Sequence, residues 1–423
     1  MKANLRIFAL LVLSTFLGLP LLGQELPTAD PGEVGLSEER LKRMGSVFQG
    51  YVDKKQMAGS VMLIARKGKV AYFEAFGKSD IENDVPMKKD AIFRIASQTK
   101  ALVSVGIMIL QEEGKLLINE QVSKYIPEFE GSTVSELQED SSYVVVPANR
   151  PITIRDLLTH TAGIGYGWGV AADQWKEAGI VGWYFANRDE QIGATVARLA
   201  KLPMETHPGE KFVYGYNTDI LGVVIEKVSG KPLDEFIKTR VTEPLGMDDT
   251  HFYLPETKID RLSTVYSAYE DKPLERSPDP GQMVGQGAYV NGPRKSFSGG
   301  AGLLSTATDY YKFLQAMLNG GILNGNRILS PKTVELMTVN HIGDLQLRDG
   351  MRFGLGFSVI DDLGRYGEPA SEDGFGWGGA YGSTYWVDPQ EELVVVYFKQ
   401  LIPTNDLDDQ AKLRALVYAA IVE

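Results

Sequence analysis

The chain has no cysteine. That excludes disulfides, thiol catalysis and cysteine metal sites together, so stability has to come from the core. Histidine is scarce as well. The four residues, at 160, 207, 251 and 341, are too widely spread to form a metal-ligand pair, which favours chemistry without a metal or other cofactor. Positive charge is in deficit, with 43 Lys and Arg against 55 Asp and Glu. Nucleic acid and anionic membrane surfaces are therefore poor partners. Internal repeats and low-complexity tracts are absent, and the one long apolar run is Ile7 to Leu22.

That run has the layout of a secretory signal. Lys2 and Arg6 precede it, and Leu21-Leu22-Gly23 places a small residue before Gln24. The expectation is a signal peptide over 1–23 and an exported protein, periplasmic or secreted, with no membrane span once the signal is removed. A retained anchor is the alternative. Removal takes two of the 43 basic residues and none of the 55 acidic ones, leaving a net charge near −14.

With 423 residues, 43% of them hydrophobic, the chain can bury a large core. After a loose lead-in over 24–36, Ser37 caps a helix running to about Lys54, with Leu41, Met44, Val47 and Phe48 on one face. Gly59 to Phe76 reads as a hairpin turning at Lys67-Gly68-Lys69, with Val61, Leu63 and Ala65 alternating. The middle of the chain is mostly helix and long loop. Thr153 and Asp156 form a capping box, and a helix over Thr218–Val228 stops at Ser229-Gly230. Residues 251–297 read as a long wrapping loop. Thr306 and Asp309 cap a helix to Leu318, and Ser330-Pro331 opens a short one. A second hairpin spans Gly382–Phe398, turning at Asp388-Pro389, and its arm Leu393–Phe398 is apolar throughout, hence central in a sheet. A last helix starts from Asn405. Strands at both ends with helices between them predict an α/β (α+β) fold with one antiparallel sheet completed by the two termini. The sheet part then covers roughly 24–100 and 300–423, and a largely helical insert roughly 101–299, within one domain of 24–423.

Ser97-Gln98-Thr99-Lys100 is the only Ser-x-x-Lys in the chain. It opens the apolar run Ala101–Leu110, a buried helix with a stop at Gly114. At that spacing the serine and the lysine share a helix face. A buried lysine with a lowered pKa can take the serine proton, and the helix N-terminus favours a developing oxyanion. Alone, the motif could be a surface serine and lysine at a helix start. Two further segments add chemistry. Pro208–Tyr216 carries Tyr214 and Tyr216 just before a helix, and a phenol can relay a proton. Gly374–Gly382 has five glycines in nine residues, so a backbone can come close to a substrate there. A third glycine turn, Phe297–Gly302, reads as scaffold.

These segments together resemble the serine β-lactamase and penicillin-binding-protein superfamily, in its class C-type branch with the family VIII carboxylesterases. The resemblance rests on Ile92–Lys100, on Ile154–Gly163 with Leu-Leu-Thr-His-Thr-Ala-Gly, on Pro208–Gly222, on Gly299–Asp309, and on Trp377-Gly378-Gly379 with Val387-Asp388-Pro389. It implies a β-lactamase/transpeptidase-like fold. It also implies Ser97 as acylated nucleophile, Lys100 as its base and Tyr214 as the motif tyrosine, with Tyr216 as fallback. The backbone N–H groups of Ser97 and Ala380 would form the oxyanion hole. His160 matches a position that looks structural.

Two departures bear on substrate. Tyr216 stands where lactamases often have Asn, and Trp377 where Lys or His would anchor an anionic substrate. An indole offers an apolar wall and no charge, which favours neutral esters or amides of small molecules. Tyr166, Tyr216, Trp377, Gly378 and Gly379 are the expected substrate contacts, and Trp168, Trp183, Tyr184 and Phe185 could join Tyr166 around an acyl group. The expected activity is ester hydrolysis through an acyl-enzyme. The rivals are a β-lactamase or D-amino-acid peptidase, and a sensor acylated without turnover.

Overall fold

The computed structural model describes residues 26–270 and 272–423; the segment 1–23, expected to be a signal peptide, lies outside the described residues. Helix α1 (Glu38–Asp53) starts where Ser37 accepts from the Arg40 N–H, as its capping pattern predicts. Strands β1 (Gly59–Arg66) and β2 (Lys69–Asp80) form the first hairpin, followed by the short β3 (Val85–Pro86). Helix α2 (Thr99–Glu112) follows the turn that holds Ser97 and is buried from Thr99 to Leu110. In the middle of the chain are α3 (Ile154–Leu158), with its Thr153/Asp156 capping box, and α4 (Asn217–Ser229), ended by Gly230 in the left-handed region.

Helix α5 (Ala307–Leu318) leads back to the sheet. There β4 (Met351–Phe353), β5 (Ser358–Ile360), β6 (Phe375–Gly378), β7 (Thr384–Asp388) and β8 (Leu393–Lys399) are laid down, and α6 (Asp409–Ala420) closes the chain. The eight strands run β4-β5-β6-β7-β8-β1-β2-β3, every neighbour antiparallel. The join between the two chain ends is the pairing of β1 with β8, Ser60 opposite Lys399 through Arg66 opposite Leu393.

Both faces of that join are covered. Val61, Leu63 and Ala65 pack with Val394, Val396 and Phe398 in the core that holds α2, α4 and α5. Met62 and Ile64 pack with Val395 and Tyr397 against α1 and α6 through Met44, Phe48, Leu413 and Val417. Every residue of β1 is therefore buried, where alternation of Val61, Leu63 and Ala65 alone would suggest one wet face.

Four local expectations change. The lead-in is anchored, because Thr28 bridges to Val70 and Val34 and Leu36 are buried. The middle of the chain contains a hairpin, Thr133–Leu137 with Tyr143–Pro147. The stretch 251–297 is mostly irregular but holds a 3-10 turn at Glu256–Arg261 and a two-residue strand pair. The last helix begins at Asp409, four residues beyond Asn405.

Candidate active site

The site is assembled where the N-terminus of α2 meets the free end of β6. A short pairing of Phe93–Arg94 with Leu304–Ser305 delivers the chain to a 3-10 turn, Ala96–Gln98, that runs into α2. Three bonds staple the turn: Ile95 N–H to Leu303 O at 3.1 Å, Leu303 N–H to Thr99 Oγ1 at 3.0 Å, and Tyr310 hydroxyl to Gln98 O at 2.9 Å. Ala96, just before the serine, has φ +41, a strained value for a residue with a Cβ. The clamped turn holds Ser97 half-buried at the mouth of a cavity of about 780 Å³.

Lys100 is 1% exposed. Its Nζ lies 3.2 Å from Ser97 Oγ, 3.1 Å from the Tyr166 hydroxyl and 2.8 Å from the Gly300 carbonyl. All three partners are uncharged. The face of the Tyr214 ring covers the same nitrogen, its centroid 4.6 Å away.

The two tyrosines differ in what their hydroxyls meet. Burial, reinforced by the neighbouring Tyr214 and Asp219, pushes the Tyr166 phenol well above its ordinary value, so it stays protonated. The Tyr214 hydroxyl instead accepts from the Trp377 indole N–H at 2.9 Å. His160 packs against the Tyr214 ring at 4.6 Å and accepts at Nδ1 from the Asn217 amide at 2.9 Å. Burial, and then the neighbouring Lys100, pushes its imidazole well below 6.5, so it is neutral at neutral pH.

Strand β6 supplies the opposite wall. Its pairing with β5 involves only Phe375 and Gly376, so the edge from Trp377 onward is free. Trp377, Gly378, Gly379 and Ala380 line the cavity with Ser97, Tyr166, Trp183 and Tyr214. The strand end comes against the Ser97 turn so closely that a Cβ on Gly379 would lie 2.5 Å from Ile95 O. Among the described residues the Ala380 N–H has no hydrogen-bond partner.

Of the expected residues, Ser97, Lys100, Tyr166, Tyr214, Trp377, Gly378, Gly379 and Ala380 come together. Tyr216 does not, and its expected role as a substrate contact or motif tyrosine is corrected. It is fully buried, its hydroxyl donates to Gly182 O at 2.6 Å, and its ring stacks on Trp175. Of the outer aromatics only Trp183 reaches the cavity. Trp168 is 59% exposed, and Tyr184 and Phe185 are buried in packing. The Gly299-Gly300 turn was expected to be scaffold, yet its carbonyl is a direct ligand of Lys100. Asp219, which holds that turn, lies in the Pro208–Gly222 segment that carries the resemblance, where it marks the register of Tyr214 and has no expected role of its own.

A Beta-lactamase family model matches residues 44–420. An uncharacterized protein of Mycobacterium tuberculosis is 33% identical over 374 residues, covering 85% of this chain and 90% of the relative. Esterase EstB of Burkholderia gladioli is 31% identical over 376 residues, with 85% and 90% coverage. The solved structure of EstCE1, described as a hydrolase with promiscuous acyltransferase activity, superposes with a TM-score of 0.77 at 28% identity, covering 90% of this chain and 99% of that one. The chain belongs to the Beta-lactamase family, with its β-lactamase/transpeptidase-like fold, and is a serine hydrolase.

Proposed function

We propose that the chain hydrolyses neutral carboxylic esters of small molecules through an acyl-enzyme on Ser97. Ser97 Oγ attacks the ester carbonyl while the neutral amine of Lys100 takes its proton. The carbonyl oxygen becomes an oxyanion between the N–H groups of Ser97 and Ala380. As the tetrahedral species collapses, the C–O bond to the alcohol breaks and the departing oxygen takes the Tyr214 proton. Lys100 returns the serine proton to the phenolate, directly or through Tyr166. Water then attacks the acyl-enzyme by the same route reversed, releasing the acid and restoring Ser97.

The observation that carries this reading is the position of Lys100 Nζ, buried and 3.2 Å from Ser97 Oγ. The Trp377–Tyr214 bond supports the acid role: an N–H that donates to the phenol oxygen leaves the phenol proton free for the leaving group and steadies the phenolate that follows. The indole at position 377 favours substrates without a carboxylate beside the scissile bond. An esterase and a hydrolase with acyltransferase activity among the relatives fit the same chemistry, since an alcohol can replace water as acceptor.

Ser97→Ala is expected to abolish turnover of p-nitrophenyl butyrate, and undiminished activity rejects the assignment. Nitrocefin and a D-Ala-D-Ala peptide, assayed beside it, should be much poorer substrates. Recovery of unmodified protein mass after acylation separates an enzyme from a sensor. We also propose that residues 1–23 direct export, on the charge and apolarity of that segment. Among the described residues no helix is long and apolar enough to cross a membrane.

A further inference from the structure

A neutral primary amine has two N–H bonds and one lone pair, while Lys100 Nζ has three polar neighbours. Which neighbour meets the lone pair decides whether the lysine can act as a base. The Gly300 carbonyl can only accept, so it must face an N–H. The Tyr166 oxygen can accept the second N–H. With both donors spent there, the lone pair is left for the Ser97 hydroxyl. The Gly300 carbonyl is thus an orientation lock, and its own direction has to be fixed.

Asp219 fixes it. The carboxylate is 2% exposed on the first turn of α4. Its Oδ1 accepts from the Gly300 N–H at 3.0 Å and from Ser298 Oγ at 2.6 Å. Ser298 Oγ in turn accepts at 3.1 Å from the Ala301 N–H, which shares its peptide plane with the Gly300 carbonyl, so Asp219 holds the turn on both sides of Gly300, directly at its N–H and through Ser298 at its carbonyl. The contact is close: a Cβ on Gly300 would lie 2.4 Å from Asp219 Oδ2. Burial pushes the Asp219 carboxyl pKa up, and the Ser298 hydrogen bond opposes it.

We propose that Asp219 is a positioning residue for this site, acting through the Gly300 peptide to aim the Lys100 lone pair at Ser97. The inference rests on the Ser97/Lys100 reading above and adds a third element of control to it. Asp219 touches no substrate. Its effect belongs to the acylation step and not to ground-state binding.

The test uses the whole protein and two readouts, the labelling rate of Ser97 by a fluorophosphonate and the steady-state kinetics of p-nitrophenyl butyrate. Asp219→Ala is expected to slow both labelling and kcat by about 30-fold or more, with KM within about twofold, as for a displaced catalytic group. Asp219→Asn keeps an oxygen that accepts both bonds, and it is expected to restore both rates to within about threefold of wild type. Ser298→Ala, which loosens the same turn without opening a carboxylate-sized hole, is expected to slow labelling by about fivefold, and it serves if Asp219→Ala does not fold. Wild-type labelling rates in folded Asp219→Ala or in Ser298→Ala overturn the proposal, as does an Asn variant as slow as the Ala variant. Failure of the wild-type protein to label at Ser97 would instead overturn the underlying assignment.

Discussion

The Trp377 indole N–H donates to the Tyr214 hydroxyl at 2.9 Å, joining the free edge of β6 to the loop before α4 across the mouth of the cavity. One residue thereby puts an uncharged wall along the cavity and a hydrogen-bond donor on the phenol beside it.

Trp377→Phe keeps the apolar wall and loses the donor. We expect kcat on p-nitrophenyl butyrate to fall by about tenfold with little change in KM, the cost of one directed hydrogen bond in the transition state. Trp377→Lys is expected to raise the ratio of nitrocefin to ester turnover. An unchanged ratio would contradict the role of the indole in selecting neutral substrates.

The two phenols should separate by mutation. Tyr214→Phe is expected to cost about 10²- to 10³-fold in kcat, since it removes the acid for the leaving group. Tyr166→Phe leaves Lys100 with Ser97 and Gly300 and is expected to cost about tenfold. Esters with better leaving groups should recover the Tyr214→Phe loss, because they need less protonation, and should not recover the Tyr166→Phe loss. The pH-rate profile is expected to show no limb near 6.5 from His160, which burial keeps neutral.

Gly379→Ala places a methyl 2.5 Å from the Ile95 carbonyl, a backbone atom that cannot swing aside. The end of β6 must retreat from the nucleophile turn and take the Ala380 N–H with it. We expect a stability loss of about 1–3 kcal/mol by overpacking. Ser97 labelling should slow by about 10²-fold, as for a misplaced oxyanion donor. Melting curves and labelling rates check the two effects separately.

Asp309 supplies a pH-dependent term in stability remote from the site. Burial pushes its carboxyl from 3.8 up to about 6, with Lys312 and the Asp249 N–H opposing. The folded form thus binds the proton more tightly than the unfolded chain. The stability gained is complete below about pH 4 and is lost as pH rises through about 6. Asp309→Asn, which still offers an acceptor to the Asp249 N–H, should gain on wild type by about 1–3 kcal/mol at pH 7.5 and by little at pH 4. Equal differences in Tm at the two pH values would refute it.

Much of the fold was legible in the residues because it depends on local rules. The caps at Ser37, Thr153 and Thr306 start helices where their side chains can take an orphan N–H, and each does so in the structure. The apolar run Leu393–Phe398 could only be an interior strand, and β8 lies at the centre of the sheet. What escaped the pattern was short or long-range. Strands β4 and β5 are three residues each, too brief for a period; β5 exists because β6 offers it an edge, and β4 because β5 does. Tyr216 looked like Tyr214 in sequence, yet the turn before α4 sends it into the core against Trp175.

By itself the sequence determined the class of fold and the pairing of Ser97 with Lys100, because a spacing of three residues at a helix start brings the two side chains to one face without help from the rest of the chain. Only the tertiary structure decided what else meets that lysine. Tyr166, Tyr214 and Gly300 arrive on three separate loops, and the Trp377 edge on a strand more than 270 residues from Ser97 in the chain. Contacts of that kind are set by how a whole core closes, which no local period records.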